Sequence, residues 1–502
     1  MSNMIYKGGC QTQMHSHRAV RNEQAFIFML TNMVVVGLLC YSLMFGGHQL
    51  SYLLVSFLLV LTVIPILVGY KYLDLAEPIY YISLLYLLYF GVRTVWVLAY
   101  PGDLYRAYWG SPPPVSYRII NLTLTYTAGG FIALLVGYYS FLPKLIDRSL
   151  YHPRLLRGEL QGKGKAIVPK IFVIYGIGLL ARFFLVMRGQ ATFLLAPSQS
   201  LTYLNILQLF ENFCIYGYAL YTIRLLTMPY KRDGLVVWLL MLAIEIAFGL
   251  FSGWKGFIIP LIGIPLLLYH YLRKHLSIRQ ILRWAVIVII ALIFVIFPLI
   301  NSYRSAFHEM ASYTSMHGVL SAWSRALSSF QRSQLVSTIS DSTRKLMNRF
   351  IGLDSFSIIV ANPKYQGGKT LALFFTAFIP RFLWSEKPVL DVGRKFAVEY
   401  WNQPINVQNS IAPTAIGELY WNFGLIGVLI GMFLLGVIYR IAYLYFIRNS
   451  TQVSAMEAFL YVFIFLRLIN IEGNLATLFA GLLEQFVLLV IIVWIMHVRV
   501  ST

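Results

Sequence analysis

Apolar runs of about twenty residues recur along this chain from Ala25 to Val498, and they settle its fold class before any motif is read. A helix needs about 20 residues to cross a hydrocarbon core about 30 Å thick, and lipid offers no partner to an unpaired backbone N–H or C=O. With 59% hydrophobic and only 12% charged residues, the chain lies far outside the soluble range, where about a quarter of residues are charged. It is expected to be an all-α polytopic membrane protein, one bundle and not a string of soluble domains.

The runs predict about twelve transmembrane helices, near residues 25–46, 50–70, 79–100, 119–143, 171–187, 203–226, 235–251, 256–272, 284–302, 421–445, 455–474 and 476–497. Basic residues orient them. With the N-terminus inside, nineteen Lys and Arg fall in the inner loops, and the short outer loops hold only Arg106, Arg118, Arg188 and Lys255. Both termini are thus expected to be cytoplasmic. The polar stretch 1–24 lacks a signal-peptide cleavage pattern, so the first run is expected to stay attached as the first helix.

The same alternation leaves one long segment, 303–412, on the outer face between the ninth and tenth spans. A connection of that length is a functional element or a hidden domain, and the functional element is the expectation here. The chain then divides into spans one to nine (1–302), the outer loop (303–412) and spans ten to twelve (413–502). Within the loop, 318–335 and 342–360 read as short amphipathic helices, and 371–382 as an apolar piece too short to cross.

The net charge of +21 raises nucleic acid as a partner, but the basic residues are spread through short loops and not gathered in one stripe, so none is expected. Cys10, Cys40 and Cys214 are scattered, which supports neither a metal site nor a disulfide framework. No internal repeat is visible, an argument against inverted-repeat transporters.

An arginine in hydrocarbon costs at least about 2.5–3.5 kcal/mol, so ions inside spans are functional candidates by default. Arg93, Arg182, Glu211, Glu245, Arg467, Glu472 and Glu484 sit inside or near the ends of spans. Interhelical pairing is the plainer reading of each. Arg93 and Arg182, with Lys255, would form a cationic wall facing the long loop. That loop carries twelve Lys and Arg, Arg349 and Arg394 among them, against six carboxylates. Anionic headgroups would hold such a lid at the surface. Arg304, and Arg381 and Lys387 in "FIPRFLWSEKP", stand instead beside proline, aromatic and apolar residues that fix backbone direction. Forked guanidinium groups and a point-charged ammonium there fit a diphosphate.

The stretch "NSIAPTAIGELYWNFGLIGVLIGMFLLGVIYR", 409–440, places Glu418 at the mouth of the tenth span, a partly dehydrated position that would suit a proton acceptor. Its glycines read as close helix packing. Tyr420, with Trp421 and Phe423, reads as an interfacial aromatic belt or, alternatively, as a stacking platform for a sugar ring.

"FIPRFLWSEKP" followed by "IAPTAIGELYWNFGLIGVLIGMFLLGVIYR" resembles the Wzy-type family of bacterial O-antigen and exopolysaccharide repeat-unit polymerases. The likeness is best over 349–440, with weaker similarity in "GLFSGWKGFIIPLIGIPLLLYHYLRK" and "FPLINSYRSAF". It implies a GT-C-like glycosyltransferase of the bacterial inner membrane with a large periplasmic loop, needing no cofactor and no metal. Donor and acceptor would be undecaprenyl-diphosphate-linked oligosaccharides, and a chain-length regulator and a flippase would be its protein partners. The resemblance assigns the diphosphate to Arg304, Arg349 and Arg381, with Lys387 and Arg394 as further binders. Glu418 is the first choice for the base, with His317, Asp354 and Glu399 behind it. The chain lacks the arginine-to-glycine spacing of eleven and the histidine before Glu-Leu that some members carry. A ligase of the same architecture and a transporter or flippase of lipid-linked glycans are the alternative functions.

Overall fold

The computed structural model describes residues 49–69, 76–151, 164–187, 202–228, 232–253, 255–274, 296–309, 321–328, 346–377, 391–405, 410–448 and 453–497, with a few isolated positions between them. No strand occurs among these residues. Helix α1 spans Gln49–Gly69, and α2 runs from Pro78 to Ala99 through a π-helical stretch at Leu87–Val92. Pro78 opens α2 in the first turn, where a backbone N–H would have no helical acceptor, so the N–H that proline lacks is not missed. There follow α3 (Tyr117–Tyr139), α4 (Leu142–Ser149), α5 (Gly164–Met187), α6 (Thr202–Glu211), α7 (Phe213–Thr227), α8 (Arg232–Ser252) and α9 (Ile258–Leu272). Helix α10 (Phe297–Glu309) leads to three short helices, α11 (Gly352–Ala361), α12 (Lys369–Ala377) and α13 (Val392–Tyr400). The last three are α14 (Ala415–Tyr443), α15 (Ala455–Leu468) and α16 (Leu475–His497).

Six of these, α2, α3, α5, α8, α14 and α16, are long and apolar enough to cross a membrane. Large apolar side chains such as Phe183, Phe184, Ile426, Ile430 and Trp494 remain exposed on them, as lipid-facing surfaces require. The chain is a helical membrane protein. Four apolar runs give less than a full span. Residues 50–70 give α1, whose apolar part covers only Gln49–Pro65, 203–226 are broken at Asn212 into α6 and α7, 256–272 yields the fifteen-residue α9, and 455–474 yields only the fourteen-residue α15. Ile469 and Ile471 carry the apolar pattern past Leu468, but the chain turns there, so the run overshoots the helix. The expected span 25–46 and most of 284–302 lie outside the described residues.

Two buried cores lie along the bundle. One joins Tyr86 of α2, Phe131 of α3, Phe356 of α11, Phe396 of α13 and Trp421 of α14. The other joins Ile174 of α5, Tyr218 of α7, Leu268 of α9, Phe459 of α15 and Ile492 of α16. Helix α11 departs from the amphipathic helix expected over 342–360. Residues 352–360 are all buried, because Leu353, Phe356 and Ile359 complete the first core.

Close backbone approach sets α3 against α14. A Cβ on Gly137 would fall 2.1 Å from the Phe433 carbonyl oxygen, and one on Gly436 equally close to that of Leu134. Helix α14 is kinked at Gly424, whose φ of 64° and ψ of −152° are accessible in practice only to glycine. The kink frees the carbonyls of Trp421 and Asn422, and the N–H groups of Gln366 and Gly367 bond to them.

At the end of the bundle where α14 finishes, Arg440 donates to Glu77, and Tyr138 donates to the same carboxylate. Beside them Asp74 accepts from Tyr271 and Tyr443, both at 2.7 Å. Burial alone would raise the Asp74 pKa, but bonds from His270, Tyr271 and Tyr443 hold it below the ordinary aspartate range. Each of these polar groups has its partner on another element of the bundle, so this end is a lock.

Candidate functional site at the Glu418 end of the bundle

The opposite end gathers Arg93, Asp103, Asp354, Arg349, Glu418 and Glu472. Arg93 lies on α2 and is 1% exposed. Its guanidinium grips Asp354 through two bonds of 2.8 Å, and its remaining N–H groups reach the carbonyls of Asp103 and Met347 and the Asn348 side chain. All five donors are engaged, so Arg93 is an internal tie and not part of a cationic wall for substrate. Asp354 accepts a further bond from the Tyr105 N–H, which removes it as a base. Arg182 is likewise bound to both oxygens of Glu245, at 2.9 and 2.8 Å, within the span α5 and not in a wall.

Asp103, fully buried, extends the tie. It accepts from Trp96, from Arg106 and, at 2.6 Å, from the half-exposed Arg344. Burial works to raise its pKa, and the Arg344 bonds outweigh that and hold it below the ordinary value. Together Arg93 and Asp103 clamp Arg344 and residues 347–354 onto α2 and the turn after it. The clamp positions Phe350, whose ring packs edge-on against Tyr89 at 5.4 Å between centroids, and Gly352, where a Cβ would fall 2.8 Å from that of Tyr89.

Arg349, next to Phe350, is exposed and has no carboxylate partner among the described residues. Its charge reaches both Tyr89 and Arg304. Arg304 stands on α10 and donates through Nε and Nη2 to the Gly253 carbonyl, at 3.0 and 2.8 Å, where α8 ends. Burial and the neighbouring Arg349 both lower its pKa. Two of the arginines expected to hold a diphosphate are therefore near enough for their charges to act on one another.

Glu418 is not at a mouth. It is 0% exposed, accepts from Thr370 at 2.7 Å and takes the Leu475 N–H at the start of α16. Asn422 donates to Thr370 and to the Glu418 carbonyl, completing the set. A carboxylate so enclosed, with its oxygens on a hydroxyl and a helix N-terminus, anchors the turn between α15 and α16 and has no open face for an acceptor hydroxyl. Tyr420 is also enclosed. It stacks on Tyr126 at 5.5 Å and meets Phe356 edge-on, leaving no face for a sugar.

Arg394 lies apart from this group. It donates to the Ile405 carbonyl and lines an open groove of about 300 Å³ with Asp391, Lys395, Val398 and Glu399. Glu399 there is paired with Lys395 at 3.8 Å. Lys255 opens a short turn before α9, and its side chain lies outside the described residues. Arg381, Lys387 and His317 lie outside them altogether.

Sequence reasoning passed over Tyr89 and did not assign Glu472 to the site. Tyr89 is hidden inside an apolar run. Glu472 had a visible signal, because "NIEGN" at 470–474 carries the Asn and Gly of a turn around one acid.

The chain belongs to the family described as a domain of unknown function (DUF8712), whose model matches residues 180–446, just over half of the sequence. That stretch takes in Arg304, Arg349 and Glu418. No curated protein matches the chain. No solved structure matches it either.

Proposed function

We propose that this protein is a bacterial inner-membrane polysaccharide polymerase that transfers a growing glycan from undecaprenyl diphosphate onto a lipid-linked oligosaccharide repeat unit. The observation that carries the reading is the exposed Arg349, without a carboxylate partner among the described residues and near enough to Arg304 for the two charges to act on one another, at one end of a membrane bundle. A leaving diphosphate gathers negative charge as its bond to the sugar breaks. Fixed guanidinium groups meet that charge without reorganising, and each well-placed donor is worth roughly 3 kcal/mol of barrier. In this reading Arg381 and Lys387 add to the same cationic site, the chain has about twelve spans with cytoplasmic termini, and 303–412 is periplasmic.

The test is incubation of the purified protein with a single lipid-linked repeat unit. Laddered products are expected, and Arg349→Ala should abolish them at an unchanged melting temperature, since Arg349 is exposed. A single transfer to a different acceptor would point to a ligase. Movement of the lipid across a vesicle membrane with no new glycosidic bond would refute the enzyme reading.

A further inference from the structure

With Glu418, Asp354 and Asp103 all enclosed and Glu399 paired in a separate groove, one carboxylate among the described residues at this end keeps an open face. Glu472 is exposed in the turn that links α15 to α16. It lines a recess with Tyr89, Thr414 and Ala415 that has about 10 Å³ of space, on the order of one water-sized group. The Tyr89 hydroxyl hydrogen-bonds to the Glu472 carboxylate at this recess, and the charge of Arg349 reaches the same hydroxyl.

The turn is rigid for a stated reason. The Glu418 carboxylate holds the Leu475 N–H on one side of Glu472, and the Ala415 N–H donates to the Ile471 carbonyl at 3.1 Å on the other. Thr414, a β-branched residue, is kept at φ 67° and ψ 158° where the recess meets α14. Backbone strain of this kind costs on the order of 1–3 kcal/mol and persists only where the surroundings over-determine it, characteristically at working sites. The buried acid thus supports the exposed one, as a catalytic group and its supporting shell require.

We infer that Glu472 is the general base of the transfer, with Glu418 its positioning residue and the Tyr89 recess the seat of the acceptor hydroxyl. The inference rests on the polymerase reading and assigns its missing step. The acceptor O–H bond breaks and its proton passes to the Glu472 carboxylate. The freed oxygen bonds to the anomeric carbon of the growing glycan, and the bond from that carbon to the lipid diphosphate breaks. The diphosphate leaves as an anion facing Arg304 and Arg349, so charge and atoms balance with no further reactant.

The experiment uses full-length protein in nanodiscs with a lipid-linked repeat unit, comparing wild type with Glu472→Gln and Glu472→Asp. General bases contribute about 10²- to 10⁴-fold, so Glu472→Gln should lower kcat at least a hundredfold with KM within about twofold of wild type. Glu472→Asp should retain part of the rate, and the acidic fall of the wild-type pH–rate profile should vanish in the residual Gln activity. Melting temperatures should match, because Glu472 is exposed. Wild-type kcat in Glu472→Gln, or a loss confined to KM, overturns the base assignment and leaves the polymerase reading standing. A wild-type protein that forms no glycosidic bond overturns both.

Discussion

Arg93 and Asp354 meet side by side inside the bundle, Nε to Oδ2 and Nη2 to Oδ1 both at 2.8 Å, with each side chain 1% exposed. The pair joins α2 to α11 and so fixes where Arg349 stands. Truncating one partner of such a pair strands the other charge, at about 3–5 kcal/mol. Arg93→Ala is therefore expected to melt well below wild type in detergent, and Arg93→Lys should rescue little, because one ammonium cannot serve five acceptors spread around a planar fork. The double variant Arg93→Met/Asp354→Leu should be more stable than either Arg93→Met or Asp354→Leu alone. A double variant as unstable as the sum of its singles would show that the two groups do not act as a pair.

Glu418 makes a contrasting prediction. Glu418→Ala leaves the Thr370 hydroxyl and the Leu475 N–H buried without their acceptor, at about 1–3 kcal/mol for each unsatisfied group. Melting should fall, and transfer activity should fall with it as the Glu472 turn loosens. Glu418→Gln keeps one acceptor oxygen and should retain measurable turnover with the wild-type pH–rate profile. A flattened acidic limb in that variant would return the role of base to Glu418.

The membrane class was legible in hydropathy because lipid admits so few backbone solutions, and the apolar runs located α2, α3, α5, α8, α14 and α16. Helix ends were less so. Nothing in composition shows that α15 stops at Leu468 while Ile469 and Ile471 continue the pattern. The role of Arg93 was not legible in sequence, since Asp354 stands 261 positions from it and reaches it only through the fold. Glu418 was found as an unusual acid beside an apolar helix. Its enclosure depends on Thr370 and Leu475, one 48 positions before it and the other 57 after, and spacing could not supply that.

Gly424 is where α14 bends, six residues after Glu418. At φ 64° and ψ −152° a side chain is strained by about 1–3 kcal/mol, and the Tyr365 ring lies 3.3 Å from where a Cβ would sit. Gly424→Ala is expected to lower stability by that amount. Gly176→Ala, which meets nothing within 4 Å on α5, should instead be neutral or slightly stabilising. Equal melting temperatures for the two variants would mean that the kink does not constrain the fold.

Asp103 gives a pH dependence whose sign is fixed by its partner. Burial disfavours its charge, the Arg344 and Trp96 bonds favour it more strongly, and the folded-state pKa ends below the ordinary value of 3.8. A depressed carboxylate contributes stability above the unfolded-state value and loses it as pH falls through the folded one. The difference in melting temperature between wild type and Asp103→Asn should thus be constant from neutrality down to about pH 5 and shrink below the ordinary value of 3.8. Because Arg344 is half exposed, added salt should reduce that difference at neutral pH without removing it, the Trp96 bond being insensitive to screening. A gap that widens on acidification would mean that burial, and not the guanidinium, governs Asp103.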